Sequence, residues 1–139
     1  MKEKIVGKID ISELNTPPEK HEFETAKFFA NKGFDVTFLK PSSIKGTNNP
    51  DFLLLGKIWE IKSPIGKSRR TYEDNLRKAM KQSGNIIFDL RRLDWSSEML
   101  CINVLNKYKS LLAVKTLLII KRNGKLLTLK GNFDILYIA

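Results

Sequence analysis

Residues Asn49 to Lys62, reading NPDFLLLGKIWEIK, constrain this chain more than any other stretch. A Pro-Asp pair leads into two apolar runs separated by Gly-Lys, and the second run ends in Glu-Ile-Lys. Gly56 suits the first central position of a two-residue II′ turn, which predicts a hairpin with Gly56 and Lys57 at its tip. That register sets Leu55 opposite Ile58, Leu53 opposite Glu60 and Asp51 opposite Lys62. Side chains alternate between faces along a strand, so Asp51, Glu60 and Lys62 share one face. Charges are costly on an otherwise apolar strand face unless they hold something, such as a metal ion. The chemistry is therefore expected here.

The elements around the hairpin predict one mixed α/β domain over residues 1–139. Residues 1–15 form an N-terminal arm or short strand. Thr16, Pro17 and Glu19 suit the cap, first position and capping box of a helix. Phe23, Ala26, Phe29 and Ala30 recur at helical spacing as far as Gly33. Glu22 lies one turn before Ala26, at the edge of that stripe, and its carboxylate points toward the sheet. Phe34 to Leu39 alternates as a strand. A helix from about Arg70 to Ser83 turns Tyr72, Leu76, Ala79 and Met80 inward. Asn85 to Leu90 is a strand, and a helix from about Ser96 to Lys109 buries Met99, Leu100, Val104, Leu105 and Tyr108. Asn123-Gly124 joins the strands Thr116–Arg122 and Lys125–Lys130, and Ile135–Ile138 offers a last strand.

Composition narrows the function. There is one cysteine, Cys101, and one histidine, His21, so disulfides, cysteine-rich zinc sites and multi-histidine sites are excluded. A bound metal would be a hard, oxygen-ligated cation, with Mg²⁺ the default. No run approaches the length of a membrane span, and the charged N-terminus has no signal-peptide core. The net charge of +10 favours polyanion partners, nucleic acid first. Nine basic residues against three acidic ones lie between Lys62 and Arg92. Arg70, Arg77 and Lys81 share one face of the second helix, where they could track a phosphate backbone. Trp59 faces away from Glu60 and reads as core, as does Cys101. Trp95, just before the third helix, carries no assignment.

The spacing of Pro50-Asp51 from Glu60-x-Lys62, with Glu22 on the preceding helix and an αβββαβ order, resembles the PD-(D/E)XK nuclease superfamily. Three blocks are similar to one branch of it, the C-terminal tRNA nuclease domains of contact-dependent growth-inhibition toxins. These are His21-Glu22-x-Glu24-x-Ala26 with Gly33-Phe34-x-Val36, Pro50-Asp51 with Glu60-Ile61-Lys62-Ser63, and Ala79-x-x-Gln82-Ser83-x-Asn85 with Asp89-Leu90.

The resemblance implies a restriction-endonuclease-like fold, a mixed central sheet flanked by helices. It implies a metal-dependent endonuclease holding Mg²⁺ or Mn²⁺ through Asp51, Glu60 and the backbone carbonyl of Ile61, with Lys62 catalytic. Glu22 corresponds to a helix glutamate used as a further ligand or water holder, with Glu24 and His21 as rivals. Lys67, Arg69, Arg70, Arg77, Lys78, Lys81 and Gln82 are the implied nucleic-acid contacts. RNA, specifically tRNA, is the implied substrate. A DNA endonuclease of the same fold and a non-catalytic nucleic-acid-binding module are the alternatives. An acidic immunity or antitoxin protein is the implied partner. Action is expected in the cytoplasm, and no export or delivery region is visible.

Overall fold

The computed structural model describes residues 6–41 and 50–131. They fall into two compact units, one within Met1–Trp59 and one within Glu60–Phe133. The expected strand at Ile135–Ile138 and most of the 40–49 loop lie outside the described residues. Strand pairing runs in the order β1-β2-β3-β4-β5-β6-β7, antiparallel and parallel together, with three helices. This is the mixed α/β class, with the αβββαβ order that the sequence predicts.

The first unit holds β1 (Ile9–Asp10), α1 (Lys20–Ala30), β2 (Val36–Phe38), β3 (Phe52–Leu54) and the start of β4 (Lys57–Lys62). Helix α1 buries Thr25, Ala26, Phe28, Phe29 and Ala30, a wider stripe than the one expected. It begins at Lys20, four residues after the expected Thr16 cap, and its N-cap Glu19 makes no side-chain capping bond. The reason lies in Pro17-Pro18: a residue before proline is pushed out of the helical region, so Pro17 cannot open a helix. Gly33 ends the turn with φ 98° and its N–H on the Ala30 carbonyl at 2.9 Å.

The hairpin differs from the expected register. Phe52 pairs with Trp59, Leu53 with Ile58 and Leu54 with Lys57. The turn is therefore Leu55-Gly56, both at positive φ (53° and 72°), and not Gly56-Lys57. Leucine is an uncommon occupant of that region. Aromatic packing outweighs the turn preference here. Phe52 stands directly opposite Trp59, its ring 5.7 Å from Phe38, and the Trp59 indole donates to the Leu54 carbonyl at 2.9 Å. The pairing moves by two residues in register, so no side chain changes face.

The second unit continues β4 into β5 (Asn85–Asp89), β6 (Thr116–Ile120) and β7 (Leu126–Lys130), with α2 (Arg69–Gln82) and α3 (Trp95–Tyr108). β4, β5 and β6 pair in parallel, joined through α2 and α3 as successive βαβ crossovers. Tyr72, Leu76 and Ala79 of α2 and Cys101, Val104 and Leu105 of α3 pack with Ile86, Phe88, Leu117 and Ile119 in one core. Met99, expected inside, is 54% exposed, because α3 turns Ser97, Glu98 and Cys101 inward instead. The β6–β7 turn is wider than Asn123-Gly124: the Lys121 N–H bonds to the Lys125 carbonyl, and Gly124 takes the positive φ of 81°.

Candidate active site

In the first unit, the chain fixes Asp51 by its backbone from both sides. Its N–H donates to the Trp59 carbonyl at 2.9 Å, and its carbonyl accepts from Leu39 N–H at 3.1 Å. Asp51 shares a small cavity of about 210 Å³ with Glu22, walled by Pro17, Pro18, Leu39 and Pro50. The Glu22 carboxyl is hydrogen-bonded to Asp51, and burial beside that second acid pushes its pKa up to about 7. Near neutral pH the Glu22 carboxyl is thus about half protonated. That donor set, oxygen only and with the Glu22 pKa raised first by burial and then by the neighbouring acid, fits a hard divalent cation that would displace the proton. The rivals for the helix position are separated by geometry. Glu24 is exposed and 4.0 Å from Lys27, whereas Glu22 lines the cavity.

Glu19 was expected as a helix-capping residue and does something else. Ligand atoms of Glu19, His21 and Glu22 lie within 4.8 Å of one another, and His21 Nδ1 is 3.5 Å from the Glu19 carboxylate. Such closeness follows from the Lys20 helix start, which the sequence reading placed earlier. The signal available in sequence was the Pro-Pro pair.

In the second unit, Glu60 is 6% exposed, and its Oε2 lies 3.3 Å from Lys62 Nζ. The two are one residue apart on the same face of β4, as alternation requires. Ile61 between them is buried, and its register partner in β5 is Ile87. Lys67, Arg69, Arg70, Arg77, Lys78 and Lys81 are all exposed, and Gln82 is half-buried. The face that carries Arg70 and Arg77 is not purely cationic. Both line a groove of about 500 Å³ together with Glu73, Asp74 and Tyr108; Arg77 pairs with Asp74, and the Tyr108 hydroxyl donates to Glu73 at 2.6 Å. Asp89 at the end of β5 is also buried, but it is matched. Arg91 reaches it with Nε at 2.9 Å and Nη2 at 2.7 Å.

The fold is of the mixed α/β class, and the comparisons supply the family. Residues 47–126 match the contact-dependent growth inhibition CdiA C-terminal domain, and this chain belongs to that family. The match spans the hairpin, α2, β5, α3 and β6, and leaves out α1 with Glu22. In structure the chain is similar to a chain of the CdiA-CT/CdiI toxin and immunity complex from Burkholderia pseudomallei. The TM-score is 0.66 at 20% identity, over 90% of this chain and 100% of that one. At that identity the likeness is one of fold. No curated protein sequence matches. No helix among the described residues is long and apolar enough to cross a membrane.

Proposed function

We propose that this chain is a toxic effector of contact-dependent growth inhibition that works as a divalent-metal-dependent endonuclease of PD-(D/E)XK type. The family membership supports the effector role. The observation that carries the nuclease reading is the Glu22–Asp51 carboxyl pair, hydrogen-bonded inside one small cavity. A protein core gains nothing from two facing acids, whereas a cation site requires them.

Asp51 and Glu60, with the Ile61 carbonyl, would hold Mg²⁺ or Mn²⁺, and Glu22 would join as a further oxygen donor. When bound, the cation supplies Lewis-acid polarisation of a phosphodiester oxygen. Glu22 would give up its proton to serve as a donor to the cation. Lys62, kept within 3.3 Å of Glu60, donates hydrogen bonds to the charge that grows on the phosphate oxygens as the bond is cut. Lys67, Arg69, Arg70, Arg77, Lys78, Lys81 and Gln82 would position the strand through its phosphates. The substrate favoured is RNA, and among RNAs tRNA.

The Burkholderia pseudomallei structure is a complex of toxin and immunity protein. By extension we propose an acidic immunity partner for this chain, which its net charge of +10 would attract. Delivery into a target cell, with action in the cytoplasm, belongs to the same reading.

Incubating the protein with bulk tRNA, plasmid and branched DNA in parallel, with Mg²⁺, Mn²⁺ or EDTA, tests this reading. Cleavage of tRNA that stops in EDTA is the expected outcome. Cleavage of plasmid alone would move the substrate to DNA. Absence of both cleavage and divalent-ion binding would leave a binding module.

A further inference from the structure

The two tryptophans of the chain have opposite fates. Trp59 is 1% exposed, whereas Trp95 at the first position of α3 is 65% exposed. Ile65 (69%) in the β4–α2 connection and Met99 (54%), one turn after Trp95, are exposed as well. An indole left in water gives up the burial that makes tryptophan a core residue. Its surroundings in the second unit indicate what it is set to meet.

Trp95 stands on a firm base. Asp94 caps α3, its Oδ1 accepting from the Ser97 N–H at 2.8 Å, and Leu93 before it is 5% exposed. The β4–α2 connection is tied to this corner twice and to α2 once. Lys67 Nζ lies 3.6 Å from Asp94, the Tyr72 hydroxyl donates to the Gly66 carbonyl at 2.5 Å, and Arg92 donates to the Ser63 carbonyl. Ser63 immediately follows Lys62. β4 and β5 are parallel, and Lys62 is level with Phe88, so Lys62 and the Arg91-Arg92-Trp95 turn leave the same, carboxyl end of these strands. Ligands of parallel sheets bind at that end.

The charge at this corner selects the kind of ligand. Asp89 is matched by Arg91 and Asp94 by Lys67. Arg92 rests on a backbone carbonyl and pairs with no carboxylate among the described residues, so its charge remains available to a phosphate. An exposed indole that follows Arg92 by three residues, at the strand ends where Lys62 also lies, matches a ligand with an aromatic face and an anionic backbone. A purely apolar partner would leave the Arg92 guanidinium with only the Ser63 backbone carbonyl.

We propose that Trp95 is a stacking platform for an unpaired base of the nucleic-acid substrate, held at the same strand ends as Lys62. The inference rests on the nuclease reading and adds a preference: the enzyme takes strands with unstacked nucleotides, such as loops and ends, over fully paired duplex. Trp95 touches the substrate beside the scissile phosphate and does not take part in bond breaking.

The full chain in EDTA, where binding proceeds without cleavage, is titrated with a labelled single-stranded RNA oligonucleotide and with its fully paired duplex. Tryptophan emission and anisotropy of the label are read together. The single strand is expected to quench emission in the wild type but not in Trp95→Phe, where only buried Trp59 emits. Trp95→Phe keeps near wild-type affinity, whereas Trp95→Ala loses roughly tenfold or more for the single strand and little for the duplex. Wild-type affinity in a folded Trp95→Ala protein overturns the proposal, and so does equal quenching by duplex. A protein-docking face is the result if emission responds to an immunity protein and to no nucleic acid, which also overturns it. If Trp95→Ala binds and cleaves like the wild type, this inference falls while the nuclease reading stands. If the wild type neither binds nor cleaves nucleic acid, both fall.

Discussion

Glu22 with Asp51 and Asp89 with Arg91 are both hydrogen-bonded pairs built on a sheltered carboxyl, and they differ in one respect. Asp89 faces a guanidinium that grips both of its oxygens, so its burial is balanced. Glu22 faces another acid in a proline-walled cavity, and its pKa rises to about 7. The first arrangement holds a strand end in place. The second carries a local cost that a bound cation would offset. Glu60 is buried like Asp89, and its Oε2 lies 3.3 Å from Lys62 Nζ.

The comparison can be broken most sharply at Lys62. Lys62→Ala should lower the rate of nucleic-acid cleavage by roughly 10²–10³, with the folded structure retained by circular dichroism. Arg91→Ala, which alters the matched pair, should leave the rate per folded molecule within a few-fold. Equal losses in the two variants would erase the distinction.

Asp89→Ala should act on stability instead. It removes three hydrogen bonds to a charged group, and chemical denaturation should show a loss of about 2–3 kcal/mol. Cleavage per folded molecule should persist. A stable but inactive Asp89→Ala protein would move Asp89 into the site.

The Glu22–Asp51 pair should also leave a pH signature. Burial and then Asp51 raise Glu22 from 4.5 to about 7, opposed by the Glu19 backbone and His21. The folded state therefore holds a proton that the unfolded chain has already released between those values. Whatever stability this gives is full below about 4.5 and lost as pH rises through 7. Glu22→Gln in EDTA keeps the neutral form at every pH. Its melting temperature should match the wild type near pH 4 and exceed it progressively up to about pH 7. A difference that stays constant over pH 4 to 8 would mean that Glu22 does not titrate in this window.

Much of this was legible from the residues. Strand alternation has period two, so Glu60 and Lys62 share a face of β4 whichever turn closes the hairpin. Glu22 was legible because the edge of an apolar helical stripe must lie near the sheet. The register itself was not, since it depends on Phe52, Trp59 and Phe38 meeting in three dimensions. The α1 start failed locally: Thr16, Pro17 and Glu19 satisfy a capping pattern that Pro18 forbids. Met99 and Trp95 were hidden for a related reason. Helical spacing cannot tell which edge of a mostly apolar helix faces water, and α3 resolves it by burying Ser97 and Glu98. The closeness of His21 to Glu19 followed from the α1 start and was lost with it.

The central claim is that the acid-on-acid pair belongs to a metal-dependent cutting site. It is tested most directly by tRNA digestion at pH 7.5 with the wild-type and Asp51→Ala proteins, each verified as folded. The wild type should release products with Mg²⁺ and none with EDTA, and Asp51→Ala should release none in either. Products from the wild type in EDTA, or from Asp51→Ala at the wild-type rate, would contradict it.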